Sequence, residues 1–411
     1  MIPVIDVAVA VGWRDGQRPQ AASGLRVDAF ATGLDHPRWL HVLPNGDVLV
    51  AETNGPPRTG GGVRGWFFKQ FQKRAGGAVP SPDRITLLRD VDGDGIADRR
   101  DAFLVDIPSP FGMALVGDTL WVATAGSVLG VGYTAHSTVA AGPRVKLLDL
   151  PGGPRNHHWT KSLIASGDGR FLYAGVGSNS DHGEHGMGEE AGRAAIWEID
   201  LQAHTGRILA SGLRNPVGMS WVPGSDALWV VVNERDELGG DLVPDFLTAV
   251  RDGGFYGWPY SYYGTHRDPR IERRDAAPRD VAIVPDYALG PHTASLGLAW
   301  SGAVALPAPY RDGMFVGQHG SWNRRPPSGY KVVFIPFRDG RPDGAALDVL
   351  SGFLTPDGDA RGRPVGVAID STGALLVADD VGNTIWRVSA AVAPTGDATT
   401  GVQVHKGGST P

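Results

Sequence analysis

One phrase recurs six times along the 411 residues, and it limits the fold more than any single motif does. An apolar run enters a Gly, Asp or Asn turn, and a second apolar run ends on a polar residue. The copies are Pro37–Glu52, Pro110–Thr124, His158–Ser178, Asn215–Glu234, Ser295–His319 and Arg363–Asp379. Each is two short strands around a tight turn. A lone hairpin cannot bury its faces. Stacked radially, such units predict an all-β fold, a six-bladed β-propeller. Equivalent positions of every copy then point at one common hub.

The organisation follows from the rhythm. Residues 1–24 read as a loose lead-in, 25–390 as a single propeller domain, and 391–411 as a frayed tail. Residues 25–32 are expected to begin the first blade. Inserted loops near 55–79 and 265–280 interrupt the repeat. The first carries Trp66-Phe67-Phe68 and is expected to lie over one end of the ring. Residues 241–250 read as a short helix or loop.

Composition removes several classes of function. The 59 Gly and 31 Pro suit many turns between short strands. A net charge of −6, without a basic patch interleaved with aromatics, argues against a nucleic-acid partner. The chain has no cysteine, which excludes disulfides and thiol catalysis. No stretch approaches the ~20 apolar residues of a membrane span. Residues 1–12 include Asp6 and lack a basic start, so they do not read as a signal peptide.

Asp90–Asp101 (DVDGDGIADRRD) has the spacing of a calcium loop. Asp90, Asp92, Asp94 and Asp98 fall at positions one, three, five and nine. Gly95 stands at the sharp turn, Ile96 offers a carbonyl, and Asp101 is at twelve. Hard oxygens at alternate positions are what calcium takes. The expected role is a structural staple.

The positions aimed at the hub form an unusual set: His36, Glu52, His157, His158, Asn179, Arg214, Asn215, Asn233, Glu234, His292, Ser295, His319, Arg363, Asp379 and Asp380. A channel that only holds water needs small side chains. Imidazoles and guanidinium groups converging there predict an anionic ligand and acid–base chemistry. His157 and His158 are adjacent and point oppositely on an extended chain, so one of them serves as a single base rather than half of a metal pair. Arg214 and Arg363 offer planar forks to a carboxylate or quinone oxygen. The run Asn233–Glu237 reads equally as a second calcium turn or a salt-bridged surface turn.

Longer strings carry a resemblance. Asn156-His157-His158, Leu213–Pro216 (LRNP), Val232–Asp236 (VNERD), Gly254–Gly264 (GFYGWPYSYYG), Pro285–Trp300, Gly317–Arg324 (GQHGSWNR), Ser328–Phe337 and Arg363–Val388 resemble the soluble pyrroloquinoline quinone (PQQ)-dependent sugar dehydrogenases. The L-sorbosone dehydrogenase branch is the most similar, from about residue 25 to 390. The resemblance implies a six-bladed propeller that binds PQQ and calcium over its hub. His158 falls on the general base, Arg214 and Asn215 on the Arg-Asn pair, Arg363 on a late cofactor-binding Arg, and Asp236 and Glu237 near a metal turn that uses main-chain oxygens. The glucose enzymes carry a Lys in the fifth blade. Here the stretch is His319–Arg324, so His319 or Arg324 is expected in its place, with His292 as a further cofactor contact.

The expected reaction is PQQ- and calcium-dependent oxidation of an aldose or sugar-derived aldehyde, such as sorbosone. His158 takes the proton, Arg214 polarises the quinone, and electrons pass to an external acceptor. The resemblance also implies a periplasmic or secreted setting. Two other readings stand beside it. One is a calcium-dependent sugar lactonase, using Glu52, Glu234 and Asp379 as ligands. The other is a non-enzymatic binding propeller.

Overall fold

The computed structural model describes residues 5–57, 73–271 and 281–391. Among them, six antiparallel sheets are arranged as a β-propeller. Blade 1 is built from 37–42, 48–52, 84–89 and 99–104, and blade 2 from 113–116, 119–123, 127–132 and 141–149. Blade 3 uses 161–165, 171–176, 195–200 and 205–211, and blade 4 uses 216–221, 228–232, 244–249 and 287–291. Blade 5 uses 295–300, 313–318, 331–338 and 347–351. Blade 6 takes 364–369, 375–379 and 384–390 from the end of the chain and 25–31 from its beginning.

That last pairing corrects one expectation. Leu25–Ala31 does not open the first blade; it is the outer strand of the last, paired with Thr384–Ala390. The clasp closes the ring by joining the two ends of the chain within one blade. Nor is the lead-in loose. Gln20–Ala21 adds a strand to Leu347–Ser351, and Trp13 Nε1 donates to Asp379 Oδ2 at 2.7 Å. Within residues 241–250 there is no helix, and the loop is confined to the ends: Pro244–Ala249 is the third strand of blade 4, with ladders on both sides. Its proline occupies the first strand position, where a missing N–H is tolerated. Trp66-Phe67-Phe68, residues 272–280 of the second insert and 392–411 of the tail lie outside the described residues.

The innermost strands follow a glycine register. Gly112, Gly218, Gly297 and Gly366 each stand where the inner strand of one blade meets the next blade's backbone. A Cβ on Gly112 would lie 2.2 Å from Leu163 N, on Gly218 2.6 Å from Leu296 O, on Gly297 2.2 Å from Val365 O, and on Gly366 2.8 Å from Arg38 O. These contacts bring neighbouring inner strands close enough to form a narrow hub. Larger side chains fill the wider radius: Leu49, Leu87 and Phe103 of blade 1 pack with Met113, Leu120 and Val131 of blade 2. Gly297→Ala is therefore expected to lower unfolding free energy by at least ~2 kcal/mol, because backbone rather than a flexible side chain must move. Chemical denaturation checks it, and a loss under ~0.5 kcal/mol contradicts the close-approach account.

Candidate functional site

Inner strands begin, and second strands end, at the same end of the ring. Main-chain bonds tie the two positions within blades 1, 3, 4 and 5: Thr53 N to His36 O, His158 N to Ser178 O, Asn233 N to Asn215 O, and His319 N to Ala294 O. The polar residues of the repeat are thus gathered at one mouth, in two linked clusters.

The first spans blades 3 to 5. His158 Nδ1 lies 2.7 Å from Ser178 O and 3.1 Å from Ser178 Oγ. A carbonyl acceptor fixes the proton on Nδ1 and leaves the lone pair on Nε2. Burial, then the charges of Arg214 and its neighbours His157 and Lys161, holds the ring well below the usual histidine pKa. His158 is therefore neutral at pH 7 and able to accept a proton. The side chain of Lys161, fully buried, donates to the carbonyls of His158 and Trp159 at 3.2 and 3.3 Å and so props the turn from beneath.

Arg214 is 2% exposed, and its fork is largely spent inside the protein. Nη1 donates to Asn233 Oδ1 at 2.9 Å and Glu234 O at 2.6 Å; Nη2 donates to Asp181 Oδ1 at 2.9 Å and Asp236 Oδ2 at 3.1 Å. Only Nε is buried without a partner. Burial opposes ionisation of Asp181, but the Arg214 charge, the hydrogen bonds from His182 and the Asp236 amide, and the Arg270 charge together outweigh it and keep that carboxyl far below the usual range. Asp236 also accepts from Asn323 Nδ2 at 2.8 Å and faces His292 Nδ1 at 3.6 Å. His292 Nε2 lies 2.9 Å from Gly239 O. Burial works against protonation of His292, yet Asp236 and the Gly239 carbonyl raise its pKa above the ordinary value. Asn215 Oδ1 is buried and unpaired beside the close approach of Gly177.

The second cluster spans blades 5, 6 and 1. Asp380, 2% exposed, faces His319 Nε2 at 2.9 Å, Arg38 Nη1 at 3.1 Å and His36 Nε2 at 3.8 Å. Burial lowers the His319 pKa to about 4, against the pull of Asp380. Arg363, 3% exposed, makes no side-chain hydrogen bond among the described residues: Nε and Nη2 are buried and unpaired there, and its guanidinium lies 4.8 Å over the Tyr330 ring. Arg38 lies 5.8 Å over Trp159, the residue after His158, and so connects the clusters.

Several expected roles change. Arg324 turns to Asp241 and the Pro326 carbonyl, so its fork is not presented at the mouth beside His319. Glu237 turns outward at φ 65°, and the Asp236 carboxylate is matched by Arg214, Asn323 and His292, so the Asp236 side chain is not free on that turn. Glu52 is held by Arg84, Thr86 and the Asp35 amide. Glu234 is paired with Arg235, and Asp379 accepts from two indoles and two main-chain amides. These three carboxylates brace the ring and do not converge as the ligands a lactonase needs. Far from the hub, Asp90, Asp92 and Asp98 do bring oxygens within 4.8 Å of one another. Asp94 accepts the Ile96 amide, and the chain enters its strand at Arg99, which pairs with Asp101; the twelfth-position ligand is thereby lost.

Sequence reasoning passed over Arg38, Asp181, Arg270 and Asn323. It also placed Asp380 at the hub without giving it a role. A positional signal existed only for Arg38, the second residue of the inner strand Pro37–Val42 of the repeat.

Comparison with known proteins agrees with this geometry. The sequence profile of the TrAA12-like family matches residues 84–244 and 263–391. A PQQ-dependent pyranose dehydrogenase of Coprinopsis cinerea is 26% identical over 361 residues, covering 77% of this chain and 44% of that protein. An aldose sugar dehydrogenase of Escherichia coli is 25% identical over 274 residues, covering 59% of this chain and 64% of that one. The chain thus spans about half to two thirds of these curated relatives. The holo PQQ domain of the Coprinopsis enzyme superposes with a TM-score of 0.72 at 21% identity, covering 93% of this chain and all of that domain. A PQQ-bound aldose sugar dehydrogenase of Streptomyces coelicolor gives 0.58 at 17% identity, over 90% of this chain and 99% of that one. At these identities the superpositions establish the shared propeller.

Proposed function

From the premise that this chain belongs to the TrAA12-like family, we propose that it is a PQQ-dependent dehydrogenase of an aldose or sugar-derived aldehyde, sorbosone among them. The observation that carries the reading is Arg363. A buried guanidinium with two unpaired nitrogens is costly unless an acceptor completes it. A planar, acceptor-rich anion of the PQQ type fits that need. Arg363, with Arg38, His319 and Asn215, would hold its polar edge.

When bound, PQQ supplies a two-electron acceptor for the hydride equivalent that leaves the substrate carbon. The protein's own part is proton removal and orientation. His158 Nε2 takes the proton from the anomeric hydroxyl, or from the hydrate of an aldehyde, while Ser178 holds the opposite ring nitrogen. Arg214 sets a fixed positive field beside that base and is itself kept in place by Asp181 and Asp236. Calcium is proposed as a second cofactor on the likeness to the Trichoderma reesei family AA12 protein, whose structure is described as a calcium structure. The Asp236 side chain does not fit as its ligand, and no step is routed through it. An external acceptor takes the electrons onward, and an extracytoplasmic setting belongs to the same proposal. No helix among the described residues is long and apolar enough to cross a membrane.

The test is a panel of aldoses, aldehydes and sugar lactones with the purified protein, PQQ, calcium and a dye acceptor. Sugar-dependent dye reduction that requires PQQ is the expected result. Lactone hydrolysis without PQQ overturns the reading.

A further inference from the structure

We propose that Arg270, supplied by the second insert, is a positioning residue for Arg214. The inference rests on the dehydrogenase reading for its catalytic consequence, but not for its geometry. Arg270 never touches Arg214; it grips the two groups that do the holding. Nη1 donates to Asp181 Oδ2 at 3.1 Å and to the Asp236 carbonyl at 3.0 Å. Asp181 uses its other oxygen, Oδ1, to accept both Arg214 Nη2 and the Asp236 amide, at 2.9 and 2.8 Å. Each carboxylate oxygen thus has its own cation, and the Asp236 peptide is gripped on both sides.

The remaining donors anchor Arg270 itself. Nε and Nη2 reach the two oxygens of Asp268 at 3.0 and 2.8 Å. Asp268 is fully buried and also pairs with Arg235, which is equally buried. Arg235 Nη1 and Nη2 in turn bond the carbonyls of Pro259 and Ser261. The chain of contacts runs from the base of the insert, through alternating charges, to the guanidinium beside His158. Such a buried network holds its members in one arrangement only while every member is matched. A surface salt bridge at the rim has no comparable reach.

Lysine at 270 can keep one contact and the charge, but not the fork that spans Asp268, Asp181 and Asp236 together. Arg270→Gln removes charge and fork. The expected result for Arg270→Gln is a roughly 10- to 100-fold loss of kcat on an aldose with KM changed less than threefold, and Arg270→Lys recovers part of it, following the effect of small misplacements on catalysis. Hydrogen exchange supplies a second readout, independent of cofactor and turnover. The amide of Asp236, bonded to Asp181 in the wild type, should exchange at least about tenfold faster in Arg270→Gln while the blade cores keep their protection. A double-mutant cycle with Asp181→Asn should be strongly non-additive.

The proposal is overturned if Arg270→Gln leaves kcat within twofold and Asp236 exchange unchanged, or if exchange rises equally across all blades. If Arg270→Gln does not accumulate as folded protein, Arg270→Lys is read by the same criteria. If the wild type oxidises no sugar, the dehydrogenase reading fails, and the exchange experiment still decides the positioning claim.

Discussion

Replacing His158 by glutamine lowers kcat by about two to four orders of magnitude, the usual worth of a positioned proton acceptor, while the protein stays folded and still binds PQQ. Glutamine fills similar space and can keep a contact to the Ser178 carbonyl, which His158 now meets at 2.7 Å. It cannot accept and release the substrate's proton. The wild-type pH profile is the companion measurement. Burial and Arg214 hold the imidazole well below its usual pKa. The active, neutral form is therefore fully present at neutral pH and is lost only as pH falls through that depressed value. The acid limb of kcat/KM should lie below about 6.5, the ordinary histidine value, and it should vanish in the variant. Near-normal turnover in His158→Gln, or an acid limb above 6.5 in the wild type, contradicts the assignment.

The second large effect is expected at Asp380. Its carboxylate is the ion-pair partner of Arg38 at 3.1 Å and the acceptor facing His319 at 2.9 Å, and it is 2% exposed. Asp380→Ala leaves the Arg38 charge unmatched with Arg363 nearby, and like charges there repel. Breaking a buried pair by removing one partner costs about 3–5 kcal/mol. The loss should appear in denaturant unfolding of the cofactor-free protein and be smaller in Asp380→Asn, which keeps an acceptor. Since the charges facing Asp380 from His319, His36 and Arg38 together outweigh burial and hold its carboxyl far below the usual range, its contribution to stability is present above the unfolded carboxylate pKa. It is lost only as pH falls well below that. A change under ~1 kcal/mol in Asp380→Ala at pH 7 contradicts the role given to it.

Much of this was legible in the repeat. The six hairpins fixed the number of blades, and the polar residues at their ends did meet at one mouth, because antiparallel pairing puts the start of one strand beside the end of the next. Register alone points His157, His158 and Arg363 to the mouth, while the choice of His158 over His157 comes from the family resemblance. The ring closure could not be read from register, since Leu25–Ala31 looks like any first strand, and only its partner at Thr384–Ala390 reveals a clasp. Asp181 and Arg270 were equally hidden. They stand in loops outside the repeat, 33 and 56 positions from Arg214, and their value lies in contacts between blades that no spacing rule encodes. The acidic loop shows the opposite error. Asp90, Asp92 and Asp98 do bring oxygens together, but Asp101 lies in a β-strand beginning at Arg99 and pairs with that arginine.

The central claim is that the hub receives one flat anionic redox molecule against Arg363. An absorbance-monitored titration of the cofactor-free protein with PQQ, run alongside Arg363→Ala, tests it most directly. The account predicts saturation at about one PQQ per chain and at least tenfold weaker binding in the variant, the loss of one charge-assisted contact. Binding that never saturates, or an Arg363→Ala curve that overlays the wild type, would contradict it.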